Sequence, residues 1–138
     1  VEDYIDALLW AKSIGGLNGL MARADANAKV LFDFVEANDW IANLAKVPAT
    51  RSNTSVCLTI VDKDVAALDA DAQAAFAKAM VTALDKEGVA FDIGAYRDAP
   101  SGLRIWAGAT IETADMKALL PWLTWAFETQ KAALKAAA

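Results

Sequence analysis

The sequence predicts an α+β fold, an antiparallel sheet covered by helices on one face and preceded by a long bent helical arm. Three observations predict it. Apolar residues recur at helical spacing from Leu17 to Val35, from Phe76 to Leu84 and from Met116 to Phe127. A run rich in β-branched residues, Ser55 to Val61, reads as a strand. Two further short apolar segments, Val89 to Ile93 and Leu103 to Ala107, flank a Pro-Ser-Gly turn and read as two more strands.

The arm comes first. Residues 2–14 carry Ile5, Leu8, Leu9 and Ile14 on one face of a short helix, and Gly15-Gly16 interrupts it. From Leu17 the stripe resumes through Leu20, Met21, Ala24, Ala28, Leu31 and Val35, with Asn38 as the stop. Together these make an arm of about 35 residues, far longer than an average helix, so residues 1–37 are expected to pack on something beyond residues 38–138. Trp40 to Leu44 is a candidate edge strand, and residues 46–54 read as a loop around Pro48.

After the strand at Ser55, Asp69 is placed to cap a helix, Asp71 to favour its first turn, and Gly88 to end it. Thr113 is expected to cap the last helix, which Pro121 should kink because proline lacks a backbone donor. The alanine-rich tail, 131–138, is expected to fray. The predicted order is therefore the arm followed by β-β-α-β-β-α, in a single domain.

Composition excludes several functions. Hydrophobic residues make up 57% of the chain, but no stretch of about eighteen consecutive apolar residues exists to span a membrane. No leader pattern is visible, and a start at Val1 inside a helix suggests a piece of a longer protein. A net charge of −5, with the lysines dispersed, argues against nucleic-acid binding. The single cysteine, Cys57, reads as a buried structural thiol, since the chain has no histidine to activate it; one unpaired cysteine suits a reducing, cytoplasmic setting. Without histidine, the usual acid–base and metal chemistry is missing, and the Asp and Glu residues form no paired catalytic pattern.

What remains is anion binding. Arg97 and Arg104, two of only four arginines, stand on either side of the Pro-Ser-Gly turn. A planar guanidinium grips a carboxylate or phosphate through two parallel hydrogen bonds, so a tight turn bringing two of them together would suit a small substrate with two anionic ends. Arg97 beside Asp98 also reads as a solvated ion pair, and Tyr96 as an ordinary loop tyrosine able to donate to an anion. In an extended strand Leu103 and Ile105 point one way and Arg104 and Trp106 the other. The arginine would then stack on the indole or frame a pocket wall. Arg51, with Ser52 and Asn53, either serves a ligand or ties its loop to its own backbone. The remaining tryptophans, Trp10, Trp40, Trp122 and Trp125, read as core or interface residues rather than a ligand cage.

Gly102-Leu103-Arg104-Ile105-Trp106, preceded by Tyr96-Arg97, resembles the C-terminal signature of phosphoserine aminotransferases, class V members of the fold-type I pyridoxal-phosphate enzymes. Arg51-Ser52-Asn53-Thr54-Ser55-Val56 resembles the segment that opens a strand of that family's small domain, and the whole is most similar to the alphaproteobacterial branch. The resemblance implies a reversible exchange of an amino group between O-phospho-L-serine and 2-oxoglutarate, giving 3-phosphohydroxypyruvate and L-glutamate in serine biosynthesis.

It implies that Arg104 binds a substrate carboxylate and that Arg97, with Tyr96, serves the phosphate or distal carboxylate. The family's His-Arg pair reads Tyr96-Arg97 here, and the loop between the arginines is one residue longer. The family's Schiff-base lysine, its aspartate against the pyridine nitrogen and its phosphate cradle lie upstream of this region, and none of the nine lysines here sits in a matching motif. The resemblance thus implies a C-terminal small domain joined by the 1–37 arm to a large pyridoxal-phosphate domain, in a cytoplasmic homodimer. The isolated chain should bind no cofactor and be inactive. Two readings compete with it: a free-standing module that binds an amino acid or diacid and regulates a partner, and a pure dimerisation domain built on the arm.

Overall fold

The computed structural model of the chain describes residues 1–137. Helix α1 (Glu2–Ser13) and helix α2 (Gly16–Glu36) form the arm, joined at Gly15 and Gly16. Both glycines have positive φ, 103° and 64°, a conformation that side chains resist, so the elbow falls where the sequence places it. Asn38 closes α2 by donating from Nδ2 to the Phe34 carbonyl at 2.7 Å. None of the residues of α1 is buried, and Ile5, Leu8 and Leu9 stay exposed.

Strands β1 (Ile41–Asn43), β2 (Ser55–Ile60) and β3 (Leu103–Trp106) make one antiparallel sheet in the order β1-β2-β3. Ile41 pairs with Ile60, and Cys57 pairs with Arg104. Val56, Leu58, Leu103 and Ile105 point into the core, while Ser55, Cys57, Arg104 and Trp106 lie on the open face. Cys57 is therefore half-buried on that face, not the fully buried thiol expected. Between the strands lie a short helix the sequence reading missed, α3 (Lys63–Ala66), and α4 (Ala70–Lys86); α5 (Thr113–Ala137) ends the chain. Asp69 caps α4 as expected, accepting from the Ala72 N–H at 2.8 Å. Helix α5 packs on both α2 and α4, and Trp40 stacks on Phe127 with ring centroids 4.2 Å apart.

Three further expectations fail. Val89 to Ile93 is not a strand, because the chain is still winding off α4: the N–H groups of Val89 and Ala90 both point to the Leu84 carbonyl, at 3.0 and 3.5 Å. Asp92 then turns to a φ of 53°, which breaks the extended run; only Gly94 bridges to Leu103. Thr113 is inside α5 rather than its cap, and its hydroxyl donates to Asn27 Oδ1 at 2.7 Å. The tail expected to fray is helical through Ala137, with Ala138 outside the described residues, and α5 runs on through Pro121.

Asn27 is fully buried, and its Nδ2 donates to the Gly108 and Ile111 carbonyls at 3.2 and 2.8 Å. Arg23, one turn earlier, donates to the Ala109 carbonyl and pairs with Glu112, so α2 grips the segment that follows β3. At the far end of α5, Lys131 pairs with Asp62, the cap of α3, and lies 3.5 Å from Asp64.

Burial pushes the Asp62 carboxyl up, but the Lys131 ammonium and the N–H groups of Val65 and Asp64 outweigh it, leaving its pKa below 3.8. Asp62, in turn, raises Lys131 above 10.5. A depressed carboxyl stabilises the fold above its unfolded pKa and loses that contribution as pH falls through the folded value; the raised lysine loses its own only as pH climbs past 10.5. Lys131→Met should therefore lower stability at pH 7 and flatten the fall in stability below about pH 4. Urea melts of both proteins from pH 7 to pH 2.5 would show it, and parallel curves would refute it.

Candidate anion-binding site

Strand β3 lies at the sheet edge and alternates in the predicted sense, so Arg104 emerges on the open face. The approach to the strand is tight. A Cβ built on Gly102 would fall 2.1 Å from the Leu58 carbonyl oxygen, so only glycine lets the turn come this close to β2. The Arg104 N–H donates to the Ile93 carbonyl at 2.8 Å, which pins the segment carrying Asp92 alongside.

The guanidinium lines a hollow of about 470 Å³ with Ser55, Asp92, Trp106, Asp115 and Met116. Arg104 Nη2 donates to Asp92 Oδ2 at 3.3 Å, and its Nε is buried with no hydrogen-bond partner among the described residues. A buried guanidinium donor left unpaired is costly, and it marks where an acceptor is wanted. Arg104 does not stack on Trp106. The indole folds over Gly108 instead, where a Cβ would come within 2.5 Å of Trp106 Cζ2.

The two arginines do not share a hollow. Tyr96 and Arg97 are exposed on the turn and line a separate depression of about 310 Å³ with Lys78, Val81 and Ser101 on the α4 side. Among the described residues Arg97 makes no ion pair, so the expected pairing with Asp98 is not formed. Arg51 ties its own loop, donating from Nε to the Ala45 carbonyl at 3.1 Å and lying over Phe32. The tryptophans form no cage: Trp40 is in the core, Trp10 faces Arg23, and Trp122 meets Trp125 edge-on.

Sequence reasoning missed Asp92, which stands twelve residues before Arg104 and meets it only because of its left-handed backbone. It also missed Asn27, although an asparagine inside the apolar stripe between Ala24 and Ala28 was a usable signal. No lysine lines the Arg104 hollow, so its lining offers no amine for a Schiff base. The charged groups it presents are the Arg104 guanidinium and the carboxylates of Asp92 and Asp115. Among the described residues no helix is long and apolar enough to cross a membrane.

No family model matches the chain. Two curated relatives, the phosphoserine aminotransferases of Methanosarcina barkeri and Methanosarcina mazei, are each 44% identical over 130 residues, 94% of this chain. The chain spans only 32% of either relative's length. Among solved structures, the phosphoserine aminotransferase of Bacillus circulans subsp. alkalophilus superposes with a TM-score of 0.70 at 17% identity, over 88% of this chain and 30% of its own. A second, from a study of radiation damage of the Schiff base in phosphoserine aminotransferase, gives a TM-score of 0.67 at 16% identity, over 87% of this chain and 30% of its own. At such identities these structures establish the fold, α+β with the three-stranded sheet.

Proposed function

We propose, for a chain homologous to the phosphoserine aminotransferases across a third of their length, the part of the C-terminal small domain of such an enzyme. The observation that carries this reading is the Arg104 guanidinium, held on the open face of the sheet with its buried Nε free. Residues 38–138 carry the sheet of the α+β unit, and α2 of the arm packs Ala28 and Leu31 into the same core. The 1–37 arm, with Ile5, Leu8 and Leu9 exposed on α1, joins it to the large domain that holds pyridoxal phosphate.

In the assembled enzyme Arg104 takes the carboxylate of O-phosphoserine, glutamate or 2-oxoglutarate through Nε and Nη2. Arg97 and Tyr96, on the neighbouring turn, serve the distal phosphate or carboxylate, reaching it from the separate depression they line. Bound pyridoxal phosphate supplies the electron sink of transamination, and its lysine and phosphate cradle belong to the other two thirds of the enzyme. The enzyme works as a cytoplasmic homodimer in serine biosynthesis.

Activity tests the division of labour. The full-length polypeptide carrying this sequence, supplied with pyridoxal phosphate, should transfer the amino group of O-phosphoserine to 2-oxoglutarate. The 138-residue chain alone should not. Turnover by the isolated chain, or none by the full-length protein, would overturn the reading.

A further inference from the structure

We propose that Asp92 is a built-in counter-ion for Arg104, a carboxylate that holds part of the guanidinium's binding edge until a ligand carboxylate or phosphate displaces it. This rests on the reading of Arg104 as the anion grip and adds a second residue that sets how tightly it grips.

The Nε–H and one Nη2–H of an arginine lie parallel along one side of the guanidinium plane, the edge that takes a carboxylate in two bonds. Here that edge is half-filled. Asp92 Oδ2 accepts from Nη2 at a long 3.3 Å, while Nε has no partner. The acid is held in place by backbone. Asp92 is the single non-glycine residue with positive φ among the described residues, and the next two residues are tied to β3 through the Ile93 carbonyl and the Gly94–Leu103 bridge.

Its side chain, by contrast, is 92% exposed, so the carboxylate can leave Arg104 without breaking any packing. A mount fixed by backbone and a head free to swing away are what a displaceable counter-ion needs. Asp92 compensates the guanidinium when the site is empty, and every incoming anion must compete with it for Nη2 and against its charge. Ligands that bring two coplanar oxygens recover both bonds, whereas a simple ion recovers only one.

Asp92→Asn removes the charge and keeps a residue tolerant of the left-handed backbone. Glutarate, a diacid with no keto or amino group to react, is the probe, titrated calorimetrically into the full-length polypeptide. Asp92→Asn should bind it about two- to fivefold more tightly than wild type, the size set by an exposed ion pair. Asp92→Gly should shift the same way, and Arg104→Ala should weaken binding at least about tenfold. Damage to the fold would weaken binding, so tightening separates competition from a structural role. Equal or weaker binding by both Asp92 variants, with Arg104→Ala still weakening it, would overturn the counter-ion and leave Arg104 standing. Binding unchanged by Arg104→Ala, or no binding by wild type, would overturn both.

Discussion

Gly102→Ala should lower stability by about 2–5 kcal/mol, the combined cost of overpacking and of a backbone conformation that side chains rarely adopt. The added methyl would sit 2.1 Å from the Leu58 carbonyl oxygen and 3.3 Å from Thr59 Cα, with φ at 156°. Both obstacles are backbone atoms of β2, so neither can rotate aside. Relief has to come from pushing β3 away from β2, and the first pair to suffer is Leu58 with Leu103. Arg104 is the next residue, so the site moves with the strand. For a domain of this size the loss corresponds to a melting temperature lower by on the order of 10 °C. Gly94→Ala is the control, because its Cβ would meet only Val81, at 3.9 Å. Circular-dichroism melts of the two variants would check the contrast; a Gly102→Ala protein melting with wild type would refute it.

Much of this architecture is legible in the sequence because burial imposes a period on it. The α2 stripe, the β-branched run of β2 and the alternation of Leu103, Arg104, Ile105 and Trp106 each follow from which side of an element faces the core. The segment after α4 is not legible that way. Val89, Ala90 and Phe91 look like a strand, but the Leu84 carbonyl captures two of their N–H groups before any partner strand can. No residue pattern announces that capture. It decides the site, since the displaced chain turns at Asp92 and delivers a carboxylate to Arg104.

The placing of Arg97 was out of reach for a similar reason. A turn bounded by proline and glycine predicts that its two flanks come close, but not which way their side chains point. Gly94 pairs with Leu103 and faces Val81 of α4, so Tyr96 and Arg97 follow that side while Arg104 takes the other. Asn27 shows the opposite case. Its position in an apolar stripe was visible, but its meaning depends on two carbonyls more than eighty residues away.

Arg104 is the centre of the account. Its side chain is a third exposed, enough to meet a ligand, while Nε is sealed from water and unpaired. A substrate carboxylate that satisfies Nε and Nη2 gains two charge-assisted hydrogen bonds. At about 1.5–3 kcal/mol each, losing even one lowers kcat/KM about 10- to 150-fold. An ammonium carries the charge but not the fork, so Arg104→Lys should also be impaired. The most direct measurement is kcat/KM for O-phosphoserine and for 2-oxoglutarate in the full-length polypeptide, comparing wild type with Arg104→Ala and Arg104→Lys. Arg104→Ala should lower it at least about tenfold with both substrates, and lysine should not repair the deficit. Unchanged kinetics for both substrates would contradict it.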